Sequence, residues 1–92
     1  MALTPGTFTS YDFDRMIVLF TMMNDEVTVP CAISTAAMDD LEGSSGTKSG
    51  QREAQFFRLR GSIESRAAQK FLDSEFEGNP PGLILRSIDF RV

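Results

Sequence analysis

The chain has 92 residues, 41% of them hydrophobic with eight phenylalanines, a formal net charge of −4 and one cysteine. That size makes one domain with a modest core, and the composition excludes a disordered chain. The acidic balance argues against general affinity for nucleic acid or anionic lipid, while the lone Cys31 excludes an intrachain disulfide and points to a reducing, cytoplasmic setting.

Residues 1–10 are rich in Thr, Ser, Pro and Gly and read as a loose N-terminal arm, its end pinned to the core by Phe8, Tyr11 and Phe13. The opening Met-Ala-Leu-Thr-Pro-Gly has neither the basic nor the apolar region of a signal peptide, so none is expected. Arg15 to Met22 reads as a strand, apolar on both faces and therefore central. Met16 to Phe20 is the longest apolar run, far short of the roughly 18 residues of a membrane helix, so no membrane partner is expected. Met23-Asn24-Asp25 makes a turn into a return strand, Glu26 to Ile33. Pro30 cannot donate to a ladder, which places that strand at an edge or gives it a bulge.

Ser34 is a suitable N-cap for a short helix from Thr35 to about Glu42, and Gly43 a suitable left-handed stop. Residues 43–50 (GSSGTKSG) form a flexible loop. A long helix follows from about Gln51 to Phe76, its apolar arc formed by Phe56, Phe57, Ile63, Ala67, Ala68, Phe71 and Leu72. Gly61 interrupts it and would let it approach a strand closely. Residues 78–82 turn the chain into a last strand, Leu83 to Phe90. The order is β-β-α-α-β. The fold expected is a single α+β domain over 1–92, an antiparallel three-stranded sheet with a short and a long helix on one face and Met16–Met22 in the middle. The second sheet face would need the N-terminal arm or another subunit, hence an expected homodimer.

Arg60 and Glu64 are the candidate polar site. They are spaced i, i+4 inside the apolar arc, and a buried carboxylate is costly unless paired. The main reading is an ion pair that orients the helix on the sheet; the alternative is a pocket in which Arg60 holds an anion or small molecule. Arg52, Arg66 and Lys70 are the candidate partner surface, a basic row along about 27 Å of helix at about 1.5 Å per residue. The segment Lys48–Lys70 carries six basic and two acidic residues, a net +4 that leaves −8 for the remainder. Its contact would be an acidic partner or phosphates, although no aromatic is interleaved with the row for base stacking.

Cys31 shares a strand face with Val27, Val29 and Ile33 and reads as a core hydrophobe; without a histidine it has no ordinary base. Asp39, Asp40 and Glu42 match no calcium loop and read as a solvated helix face. The loop GSSGTKS lacks phosphate-loop spacing and follows a helix instead of a strand. One Cys and no His argue against zinc. No metal, cofactor or catalytic residue is assigned.

The stretch Val29-Pro30-Cys31-Ala32-Ile33-Ser34, the helix bearing Ala37 and Leu41, then Phe57, Arg60, Ile63-Glu64, Ala67, Lys70-Phe71 and a closing apolar strand, resembles a bacterial family of uncharacterised proteins, domain of unknown function 1488. The resemblance covers about residues 15–90 and implies a small bacterial α+β domain with no established activity. Its features map to Cys31, Ser34, Arg60, Ile63 and Glu64, and no catalytic role comes with them. The expected function is a non-enzymatic protein-interaction module acting as a homodimer with an unidentified protein partner. The alternatives are nucleic-acid-associated regulation through the basic flank, and anion or small-molecule binding at Arg60 and Glu64.

Overall fold

The computed structural model describes residues 3–43, 48–78 and 82–90. The elements in chain order are strands β1 (Thr4–Asp12), β2 (Ile17–Asn24) and β3 (Val27–Ser34), helices α1 (Thr35–Glu42) and α2 (Arg52–Leu72), and strand β4 (Leu83–Leu85). Short 3-10 turns precede α2 at Ser49–Gln51 and follow β4 at Ser87–Phe90. The four strands form one mixed sheet in the order β1-β2-β3-β4.

This α+β domain corrects the expected sheet in three ways. The N-terminal arm is a strand: from Thr4 onward it pairs antiparallel with β2, opposing Phe8 to Phe20 and Tyr11 to Val18. Threonine and tyrosine are good strand formers, and an edge strand needs little apolar surface. The last strand pairs with β3, not β2, and runs parallel to it, matching Cys31 to Leu83 and Ile33 to Leu85. The two helices between β3 and β4 return the chain to the same end of the sheet, which makes the pairing parallel. Beyond Leu85 the expected strand gives way to the 3-10 turn.

Strand β3 therefore lies inside the sheet, and its register with β2 runs without a break from Ile17–Ser34 to Asn24–Val27. Pro30 sits one residue before the stretch of β3 that pairs with β4. Gly82 fits there closely: an added Cβ would stand 2.7 Å from the Pro30 carbonyl oxygen. The tight turn between β2 and β3 uses Asp25 at positive φ (56°).

The boundaries of α1 follow from its end residues. Ser34 Oγ accepts from the Ala37 N–H at 3.1 Å, and Gly43 takes the left-handed conformation (φ 71°) while its N–H bonds the Asp39 carbonyl. Of the expected flexible loop, residues 44–47 lie outside the described residues, as do 79–81 of the turn before β4. Helix α2 ends at Leu72, four residues earlier than expected.

The core fills the space between α2 and one sheet face. Val18, Phe20, Met22, Val29, Cys31, Ile33, Leu83 and Leu85 point from the strands towards Phe56, Ile63 and Ala67 of α2 and Ala37 and Met38 of α1. Phe56 is the hub, its ring 5.0 Å from Phe20 and 5.7 Å from Phe8. Two members of the expected apolar arc, Phe57 and Leu72, are instead exposed. Gly61 approaches no strand; an added Cβ there meets nothing within 4 Å. No helix among the described residues is long and apolar enough to cross a membrane.

Candidate functional site

Arg60 and Glu64 do pair. Arg60 Nε donates to Glu64 Oε2 at 2.7 Å, with both side chains partly buried. The guanidinium also donates from Nη2 to the Gly6 carbonyl oxygen at 2.7 Å and lies 5.6 Å from the Phe57 ring centre. The pair thus ties α2 to β1. That acceptor is offered by an irregularity of β1, whose register shifts between Pro5 and Phe8. Gly6 is required there because a Cβ would stand 2.3 Å from the Thr21 carbonyl oxygen.

Arg52, Arg66 and Lys70 do not form the exposed row that helical projection suggests. Arg52 is 5% exposed and Lys70 only 3%. Arg52 Nη1 donates to Asp39 Oδ1 at 2.8 Å and to Gln55 Oε1 at 2.6 Å. The fully buried Gln55 donates in turn to Asp39 at 2.9 Å and Glu42 at 3.3 Å. Arg58 reaches Glu42 from the solvent side, at 2.7 and 3.0 Å. That contact raises the pKa of Arg58 by stabilising its charged form. Asp39 and Glu42, expected on a solvated face, are therefore clips between α1 and α2.

Lys70 makes the second clip. Its Nζ donates to the Ile84 carbonyl at 2.8 Å and to both Asp89 oxygens at 3.2 and 3.3 Å. Asp89 also accepts from the Arg86 backbone N–H at 2.7 Å, in the manner of a capping box, and Arg66 donates to the Asp89 carbonyl oxygen at 2.7 Å. Two guanidinium nitrogens, Arg52 Nε and Arg66 Nη1, are buried without a hydrogen-bond partner among the described residues. Sequence reasoning missed Gln55 and Asp89. The signal for Gln55 is its i, i+3 spacing from Arg52; Asp89 was hidden because its segment read as strand.

Cys31 is buried and free, its Sγ 3.5 Å from the Val29 carbonyl. Burial pushes its thiol up to about 12, which suppresses the thiolate that nucleophilic chemistry requires.

Among the described residues, the other sheet face carries no helix. Its floor is Ile17 and Leu19 of β2, Ala32 of β3 and Ile84 of β4. A depression of about 260 Å³ opens there between Arg15 on one rim and Glu77, Gly78 and Gly82 on the other. It is smaller than the about 300–1,000 Å³ usual for small-molecule pockets. The β1 positions on this face are hydroxyl-bearing, with Thr7 and Thr21 3.3 Å apart. Arg15 hydrogen-bonds Asp12 through Nε at 2.7 Å, which together with the Arg15 backbone N–H holds the Asp12 carboxyl below its usual range.

A family described as protein of unknown function (DUF1488) matches residues 5–84, most of the chain. A crystal structure of a protein of unknown function from the same family, from Shewanella loihica, is similar with a TM-score of 0.73 and 20% sequence identity, covering 90% of this chain and 94% of that one. No curated protein matches.

Proposed function

The chain belongs to the DUF1488 family, and we propose that it is a non-enzymatic protein-interaction module that acts as a homodimer through the open face of its sheet. The observation that carries this reading is the half-buried apolar floor of Ile17, Leu19 and Ile84 around the depression, over which no helix lies among the described residues, since sheet surface of that kind is usually buried against a second layer. The polar constellations support it from the other side. Arg60, Glu64, Arg52 and Lys70 each hydrogen-bond to groups within the chain, and the role that fits them is tying elements together. A nucleic-acid reading would need the cations of α2 at the surface, where Arg52 and Lys70 are not. A bacterial, cytoplasmic setting belongs to the proposal, supported by the Shewanella neighbour and the single buried thiol.

The test is sedimentation equilibrium from micromolar to millimolar protein, on the wild type and on Leu19→Glu. The reading expects a wild-type dimer, and a monomer for Leu19→Glu with unchanged circular dichroism, because a carboxylate on the floor cannot be desolvated without a partner. A wild type that stays monomeric, or a dimer indifferent to Leu19→Glu, refutes it.

A further inference from the structure

The turn between β1 and β2, residues 12–16, carries features that a single copy leaves unused. Phe13 stands 65% exposed, touched edge-on by Tyr11 at 6.2 Å. Next to it, Asp14 has no ion pair among the described residues. Arg15 spends only Nε on Asp12, so neither of its Nη atoms is hydrogen-bonded among the described residues. Arg15 is also the basic rim of the depression, whose floor is apolar and whose size suits one large side chain. An exposed phenyl ring and a half-buried apolar hollow are each unfavourable in water, and they lie at the two ends of one short segment.

We infer that the occupant of the open sheet face is a second copy of this chain, related by a two-fold axis near residues 14 and 15, with the Phe13 ring of each copy seated in the depression of the other. This rests on the interaction-module reading above and names its contact. Under a two-fold, a residue that meets another is met by it in return. A turn bearing one unpaired carboxylate and one half-occupied guanidinium is complementary to its own reversed copy. Asp14 of each protomer then pairs with the Arg15 Nη atoms of its partner in the two-bond geometry that guanidinium and carboxylate favour. The same exchange carries Phe13, two residues before Arg15, across the rim that Arg15 forms. Specificity comes from the reciprocal charges, and most of the affinity from burying the ring.

Charge exchange at the turn tests this by sedimentation equilibrium and native mass spectrometry of the full chain. Phe13→Ser, at a largely exposed position, is expected to weaken the dimer tenfold or more. Asp14→Arg and Arg15→Asp are each expected to be monomeric alone, because like charges face each other twice in each homodimer. Mixed together they are expected to form a heterodimer, because one pairing is the native Asp14–Arg15 contact and the other is restored with its signs exchanged. The melting curve of each variant shows that it is folded. A wild-type dimer unaffected by Phe13→Ser, with swapped variants that do not associate on mixing, overturns this contact. If Leu19→Glu still dissociates that dimer, the open-face reading survives it. A wild type monomeric at all concentrations overturns both.

Discussion

Removing Asp89 is expected to destabilise the domain more than its position three residues from the end of the chain suggests. The carboxylate accepts from Lys70, which is 3% exposed, and from the Arg86 backbone N–H. Truncation to alanine leaves the Lys70 ammonium buried with the Ile84 carbonyl as its remaining acceptor. Breaking one side of a buried ion pair costs about 3–5 kcal/mol, and losing a cap about 1 kcal/mol. The two losses overlap, because a loosened 87–90 turn admits water to Lys70; about 3 kcal/mol is expected for Asp89→Ala. A domain of this length holds roughly 5–14 kcal/mol in all, and at about 4–8 °C per kcal/mol the midpoint should fall by about 12–24 °C. Urea titration followed by circular dichroism measures it. The decisive comparison is the double variant Lys70→Met/Asp89→Ala. With the buried ammonium gone, the cation left without Asp89 is Arg66, which lies 3.5 Å from the carboxylate and is partly exposed to water, so the double variant should be more stable than Asp89→Ala alone. A loss below about 1 kcal/mol for Asp89→Ala, or a double variant no more stable than it, would refute the reasoning.

Three further outcomes follow from the same structure. Gly61→Ala should stabilise the domain by about 0.5–1 kcal/mol in chemical denaturation, since the position is helical, exposed and without neighbours within 4 Å of an added Cβ. Glu64→Ala should cost about 1–2 kcal/mol and speed hydrogen exchange in β1 before the rest of the sheet, because Arg60 then holds the Gly6 carbonyl without its orienting carboxylate; uniform exchange rates would contradict the clasp. Native Cys31 should react slowly with a thiol reagent at pH 8. Its folded pKa, near 12, lies above the ordinary value of 9.0, so the folded state holds a proton that the unfolded state gives up. The resulting stability is complete below pH 9 and is lost as pH rises through 12. A Cys31→Ala variant with the same alkaline limb would remove the thiol as its cause.

The parts of the fold that were legible in the sequence are those set by adjacent residues. Ser34 and Gly43 bound α1 because capping is a contact between neighbours in the chain, and alternation along Ile17–Met22 assigned the faces of β2 for the same reason. Strand β1 was hidden because Thr4-Pro5-Gly6-Thr7 has the composition of a loop; what makes it a strand is the edge that β2 offers, where Thr4 lies opposite Met23 and Pro5 opposite Met22. The direction of β4 was implicit in the order β-α-α-β, since two helices intervening between strands favour a crossover and a parallel return. The fate of Arg52 and Lys70 was not legible, because a helical projection ranks side chains by apolarity and knows nothing of Asp39 or Asp89, which arrive from other elements.

Arg52 and Lys70 stand at opposite ends of the buried stripe of α2, with Phe56, Ile63 and Ala67 between them. The apolar middle of the stripe packs on the sheet, while its charged ends hold what the sheet does not: α1 through Asp39, and the closing turn through Asp89. Arg60 adds a third tie, to the irregular edge strand. A domain of 92 residues has little apolar surface to spare, so short elements are held by directed contacts to one helix where a larger protein would bury them in a wider core. All three ties lie on the helical side of the sheet. They consume the charges that a sequence reading assigns to a surface, and they leave the opposite face with its apolar floor and the Phe13–Arg15 turn at its margin. A functional reading of this chain therefore belongs to the face that α2 does not touch.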